Sequence, residues 1–297
     1  MQLEDYLKAG RIAAEVREMV RGRDWTGRTA YELCEEVETE IRRRGALCAF
    51  PVNASINEVA AHYTAEPGDQ TVIGESDLVK VDLGAHVNGH IADTAVTVCY
   101  DPVYDGLVQA AEEALAAAMS IARPGTKARE IGRAIETSVK GRGFKPIVNL
   151  SGHSLDRYTI HAGKTIPNVW SIGGFSLSEG SAYACEPFVT TGKGGGFVRN
   201  GKTRNIFAIR TRKRTKDAEA DRMLDVIWER YNMLPFARRW LLDQWDEGEA
   251  GRLLDILVSK KAVQAYPVLL EAEGERVAQA EHTFIPAGDG ATVTTRA

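Results

Sequence analysis

Residues 81 to 98, VDLGAHVNGHIADTAVTV, restrict the folding of this chain more than any other stretch. Asn88-Gly89 is the favoured dipeptide of a two-residue type I′ turn, where both positions need positive φ, so the segment reads as a β-hairpin. The turn sets the register. Val87 faces His90, and counting back places Asp82 opposite Ala95 and makes Asp93 its diagonal neighbour on the same face. Diagonal neighbours stand about 7 to 8 Å apart, less at Cβ, so the two carboxylates can converge on one point. Val79, Val81, Val96 and Val98 project from the other face and anchor the hairpin to a core.

Two ionised carboxylates on one partly buried surface repel each other and lose hydration, which is costly unless positive charge compensates. Lys80, on the same face, is one source of charge; one or two divalent cations would compensate more fully. From the hairpin alone, a metal bridge and a solvent-exposed sheet face remain equally open.

Other segments supply further candidates. His153 and His161 lie in NLSGHSLDRYTIHAGKTIPN, and an extended backbone would put their even separation on one face. His62, in AAHYTAEPGD, is ambiguous. His86 and His90 flank the hairpin turn, where exposure is expected, and His282 alternates away from Glu281 and receives no role. Glu186, in the apolar run SAYACEPFV, precedes a proline that argues for a strand end. Glu281, in VAQAEHTFI, is a similar lone acid, and a buried acid of this kind needs a partner or a cation. Four carboxylates with one or two histidines form an oxygen-rich set suited to Mn, Fe, Co or Zn. Such a set can hold two ions about 3.5 to 4 Å apart.

The surrounding pattern is two helices followed by strands, twice over. Ile12, Val16 and Val20 mark one helical stripe, and Leu33, Val37 and Ile41 a second, opened by a Thr29 and Glu32 capping box and stopped by Gly45. Leu107 to Ile121 and the stretch after Thr126 repeat the theme. Residues 213 to 263 read as an insertion of helices without strands, with Trp228, Tyr231, Leu234, Phe236, Trp240 and Leu241 as core; strands are expected to resume at Tyr266.

Composition narrows the function. A formal net charge of −4 gives no reason to expect nucleic acid or an anionic membrane, and the basic run Arg210, Arg212, Lys213, Arg214, Lys216 reads as a solvated loop. Four cysteines without paired spacing point to a reducing compartment. With no signal-like amino terminus and no long apolar run, the expected location is the cytoplasm. TGKGGG is a glycine-rich turn and not a phosphate-binding loop, because Pro187 stands where that loop needs glycine.

Taken together, AFPVNASINEVAAHYTAEPGD, VKVDLGAHVNGHIADTAVTV, SGHSLDRYTIHAGKTIPN, YACEPFVTTGKG and AQAEHTFI resemble the type II methionine aminopeptidases, a branch of the creatinase and prolidase-like pita-bread group. The resemblance covers nearly the whole chain, in the compact archaeal form. It implies an α+β fold in a single catalytic domain, residues 1 to 297, with the insertion at 213 to 263 as a helical subdomain. A curved antiparallel sheet would carry helices on its outer face about a pseudo-twofold axis.

The same resemblance implies two divalent ions held by Asp82, Asp93, His153, Glu186 and Glu281, with Asp93 and Glu281 bridging. His62 and His161 would contact the substrate, and Phe50, Ile160 and Tyr266 would wall the methionine pocket. A metal-bridging hydroxide would release the initiator methionine of nascent polypeptides whose second residue is small, with Glu186 carrying the proton. The implied protein is a monomer, with the ribosome left open as a partner and no specific nucleic acid or membrane. Two alternatives are kept: an Xaa-Pro aminopeptidase or prolidase, and a non-catalytic pita-bread binding protein.

Overall fold

Residues 2 to 296 are described in a computed structural model of the chain. The first two helices form where the stripes place them, α1 over Gln2–Arg21 and α2 over Ala30–Arg43. Both halves of the capping box are made at Thr29, and Gly45 leaves α2 at φ +86°. Ile12, Val16 and Val20 of α1 and Leu33, Val37 and Ile41 of α2 enter one core with Val79, Val81 and Val96 of the hairpin. α3 (Asp105–Ile121) and α4 (Ala128–Gly141) back a second core, which includes Tyr183, Cys185 and Phe284.

The hairpin has the expected register, Val87 opposite His90 and Asp82 opposite Ala95, around a turn with φ +52° at Asn88 and +87° at Gly89. Its first strand, Leu78–Val87, also pairs with Asn53–Ile56 and Leu47–Cys48 to make a four-stranded antiparallel sheet. A five-stranded antiparallel sheet meets it at the hairpin's edge, ordered Gly290–Val293, His282–Ala287, Ala182–Cys185, Ser151–Leu155 and Thr165–Pro167. Helix pair and sheet thus occur twice, as the pita-bread expectation requires.

The expected single curved sheet is divided, and the division matters. The strand ending at Cys185 restarts at Phe188, and the strand ending at Gln279 restarts at His282. Both interruptions carry acids, Glu186 beside a proline and Glu281 beside an alanine. A strand break turns a side chain out of the ladder's strict alternation. These breaks therefore place both acids at the joint between sheets.

Within residues 213 to 263, α5 (Ala218–Tyr231) and α6 (Glu247–Ser259) pack around Met223, Leu224, Ile227, Leu253 and Leu257. The stretch is not free of strands: Phe236–Ala237 pairs with Ile206–Ile209, which also pairs with Val263–Tyr266, so strands resume at Val263. Leu234, Phe236 and Leu241 are buried, whereas Trp228, Tyr231 and Trp240 are half-buried. The polar tips explain part of the difference, since Trp240 Nε1 donates to Glu38 Oε2 and Tyr231 OH to Trp240 O. The basic run is exposed, and Arg212 and Arg214 pair with Asp225. Among the described residues no helix is long and apolar enough to cross a membrane.

Candidate metal centre

Asp93 is 3 % exposed, Glu281 1 % and His153 6 %, and Asp82 is half-buried, which removes the exposed-face reading of the hairpin aspartates. One ligand atom from each of these three lies within 4.8 Å of the other two. His153 Nε2 is 3.6 Å from Asp93 Oδ2 and 3.3 Å from Glu186 Oε1. Gln279 Nε2 donates to Asp82 Oδ2 at 3.2 Å and reaches Glu281 Oε2 at 3.4 Å. All five expected ligands therefore gather at the joint between the two sheets.

Their electrostatics are unusual for a protein interior. Burial, with the Glu186 charge added, pushes the Asp82 carboxyl up to about 7. Burial pushes Glu186 to about 8, and burial with the neighbouring acids holds Asp93 and Glu281 well above the ordinary carboxylate range. The His153 imidazole is pushed down to about 4 by burial, so it is neutral with a lone pair to offer. Asp82 Oδ1 and Asp93 Oδ1 are buried with no hydrogen-bond partner among the described residues. Two unpaired oxygens among four crowded carboxylates, beside a neutral imidazole, fit a hard or borderline divalent cation.

Lys80 is not the compensating charge. Its ammonium donates to Asn57 O at 2.9 Å, and its charged neighbours are Glu58, Arg276 and Asp77. The hairpin twists the outer end of that face away from the two aspartates.

Two histidine expectations also change. His153 and His161 are neighbours, with ring centroids 4.5 Å apart, but no extended strand joins them. The strand ends at Leu155, Tyr158 takes φ +55°, and Ala162 N returns to Ser154 O at 2.8 Å, so a turn folds His161 back over His153. His86 and His90 are buried and not exposed, at 5 % and 7 %. Tyr158 covers the first ring and Tyr6 the second, both from elements remote in sequence.

A cavity of about 360 Å³ opens onto the carboxylates, lined also by Phe50, Ile160, Tyr266, His62 and His161. Gly84 makes room for one wall, since a Cβ there would lie 2.2 Å from the Phe50 ring. His62 has φ +64°, and its N–H donates to Asn53 Oδ1 at 2.8 Å. Its Nδ1 lies 3.2 Å from Pro267 O, and a carbonyl only accepts, so the proton sits on Nδ1 and Nε2 keeps a lone pair. Burial drives His62 to about 4 and His161 to about 3, leaving both rings neutral.

Two site residues escaped the sequence reading. Gln279 was findable, because alternation in VAQAEHTFI places it on the Glu281 face. Asn53 gave no local signal; it acquires its place by pairing opposite Asp82.

The sequence profile of metallopeptidase family M24 matches residues 4–210. The chain belongs to family M24. The methionine aminopeptidase of Pyrococcus horikoshii is 45 % identical to this M24 metallopeptidase, over 99 % of this chain and 100 % of the relative. Among solved structures, a methionine aminopeptidase from Thermotoga maritima superposes with a TM-score of 0.71 at 23 % identity, covering 100 % of this chain and 97 % of its own. A prolidase from Pyrococcus furiosus gives a TM-score of 0.64 at 17 % identity, with 100 % of this chain but only 64 % of the prolidase covered. These likenesses establish the pita-bread fold, and M24 membership implies a divalent cation as cofactor.

Cation removal should leave a pH signature. Unfolded carboxyls titrate near about 4, whereas the folded Asp82 and Glu186 keep protons to about 7 and about 8. Between those limits the folded state binds more protons than the unfolded one. The cluster's contribution is thus whole below about pH 4 and is lost as pH rises through 7 to 8. Cation binding replaces those protons. The gap between cation-loaded and chelated melting temperatures, in which other titrations largely cancel, is expected to widen from pH 5.5 to pH 8.5. A constant or shrinking gap contradicts this assignment.

Proposed function

We infer that this M24 metallopeptidase is a methionyl aminopeptidase of the cytoplasm, removing the initiator methionine from nascent chains whose second residue is small. The convergence of Asp82, Asp93, His153, Glu186 and Glu281 on the wall of one cavity carries the reading, supported by full-length similarity to archaeal methionine aminopeptidases. These five residues would hold two divalent cations, Mn, Fe, Co or Zn. When bound, such cations supply a water of lowered pKa and polarise a carbonyl.

The chain's own groups divide the remaining work. Glu186, whose carboxyl readily holds a proton, moves one from the attacking water towards the leaving amine. His62, with its lone pair on Nε2, accepts a hydrogen bond from a substrate N–H. His161 makes no hydrogen bond within the described chain, so its ring N–H is free to donate to the oxygen on which charge develops. Phe50, Ile160 and Tyr266 give the cavity an apolar wall suited to an unbranched thioether side chain.

The assay is release of methionine from Met-Ala-Ser by metal-stripped protein after separate addition of Mn, Fe, Co and Zn, with an Xaa-Pro peptide in parallel. Metal-dependent release from Met-Ala-Ser alone is expected. Cleavage of only the Xaa-Pro peptide would reassign the enzyme to the prolidase side, and no cleavage with any metal would leave a binding protein.

A further inference from the structure

Where the two sheets meet, regular strand pairing stops. The hairpin strand His90–Cys99 touches the segment carrying Glu281 through one isolated bridge, Ala95 to Glu281. Threonine hydroxyls close the rest of this seam. Thr97 Oγ1 donates to Gln279 O at 2.7 Å and accepts from Gln279 N at 2.8 Å. Thr283 Oγ1 donates to Asp93 O at 2.8 Å and accepts from Asp93 N at 2.7 Å. Thr94 Oγ1 donates to Glu281 O at 2.8 Å and accepts from Arg17 Nη1 at 2.7 Å.

The last two contacts are reciprocal. Thr94 follows Asp93 and holds the main chain of Glu281; Thr283 follows Glu281 by two and holds the main chain of Asp93. Both threonines are fully buried, and each hydroxyl spends its proton and accepts once, so neither can turn elsewhere. Arg17 is fixed in its turn by Thr295 O at 2.9 Å and by His282 Nδ1 at 3.2 Å. This gives His282, outside the centre, a place in its support.

We propose that Thr94 and Thr283, with Arg17 behind Thr94, are positioning residues that set the spacing of Asp93 and Glu281 and thereby the cation affinity of the centre. The proposal rests on the reading of Asp93 and Glu281 as ligands of the centre. Its physical basis is the reach of the link: a hydroxyl on Cβ holds the neighbouring main chain on either side of the one backbone bridge, where no regular ladder forms. Hydrogen bonds to the ligating groups themselves are worth about 10- to 100-fold in metal affinity, and bonds that fix a ligand's main chain act on the same spacing from one step further out.

The test is calorimetric titration of the full-length, cation-free chain with Mn²⁺, together with the visible absorption of the Co²⁺-loaded form. Thr94→Val and Thr283→Val are expected to bind Mn²⁺ about 10- to 100-fold more weakly and to shift the Co²⁺ bands, with the serine variants restoring both. Thr190→Val is the control for general loosening, because its buried hydroxyl bonds Arg276 O and neither ligand's main chain. Should the valine variants not fold, Arg17→Lys carries the same measurement, with a severalfold loss expected.

Affinity within twofold of the wild type in the folded variants overturns the proposal, as does an equal loss in Thr190→Val. Asp93→Ala separates the two levels. If it binds Mn²⁺ like the wild type, the ligand reading has failed; if it abolishes binding while the threonine variants do not weaken it, the seam alone has failed.

Discussion

Glu186→Gln is expected to lower kcat for Met-Ala-Ser by about 10²- to 10⁴-fold, the usual contribution of a positioned acid-base group. The change keeps the shape of the side chain and removes its capacity to take and give a proton. Three features make Glu186 the carrier among the four acids. Its side chain keeps 13 % exposure where that of Asp93 keeps 5 %, it lies 3.3 Å from His153 Nε2, and burial raises its carboxyl to about 8. Asp93 and Glu281 are more deeply enclosed, and Asp82 is tied to Gln279. Initial rates at saturating peptide, with cation content measured on the same samples, check the prediction. Unchanged kcat at unchanged cation content would take the proton-carrying role from Glu186.

Arg239→Ala is expected to cost about 3–5 kcal/mol, because it strands a buried acid. Arg239 and Glu38 are 2 % and 0 % exposed and paired to each other. The guanidinium also donates to Thr64 Oγ1 at 2.7 Å, Ala65 O at 3.0 Å and Glu35 Oε1 at 3.1 Å. Glu38 accepts from Val52 N at 3.1 Å and Trp240 Nε1 at 2.7 Å. One ion pair therefore fastens the segment after α5 to α2 and to the two stretches that bring Phe50 and His62 to the cavity. For a chain of this size the melting temperature of the cation-loaded protein should fall by on the order of 10 °C. The double replacement Glu38→Leu with Arg239→Met removes both charges and should recover most of that loss. A single variant melting within 2 °C of the wild type, an order-of-magnitude bound, would refute the ion pair's structural weight.

Local signals account well for part of the molecule. The Asn88-Gly89 turn made the cofacial placement of Asp82 and Asp93 readable, because turn type and a period of two leave one register. The capping box and the stripes of α1 and α2 were readable for the same short-range reason. The complete ligand set came from resemblance across five segments, since no spacing in the chain says that residues 153, 186 and 281 meet. Exposure of His86 and His90 failed as an expectation because Tyr158 and Tyr6 reach the turn from distant elements. Lys80 failed because sharing a face does not mean sharing a neighbour once the strand twists.

By itself the sequence determined the hairpin, the helix pairs, the acids that no ordinary core would keep, and membership of the pita-bread group. Hydrogen-bond geometry and side-chain periodicity act over a few residues, so they are written locally. Only the tertiary structure decided that the strand breaks at Glu186 and Glu281 fall opposite the hairpin aspartates. It also decided that a turn brings His161 over His153 and that threonines bridge the seam. Those outcomes depend on how two separately built sheets come to rest against each other, a matter of packing and loop closure across the whole chain.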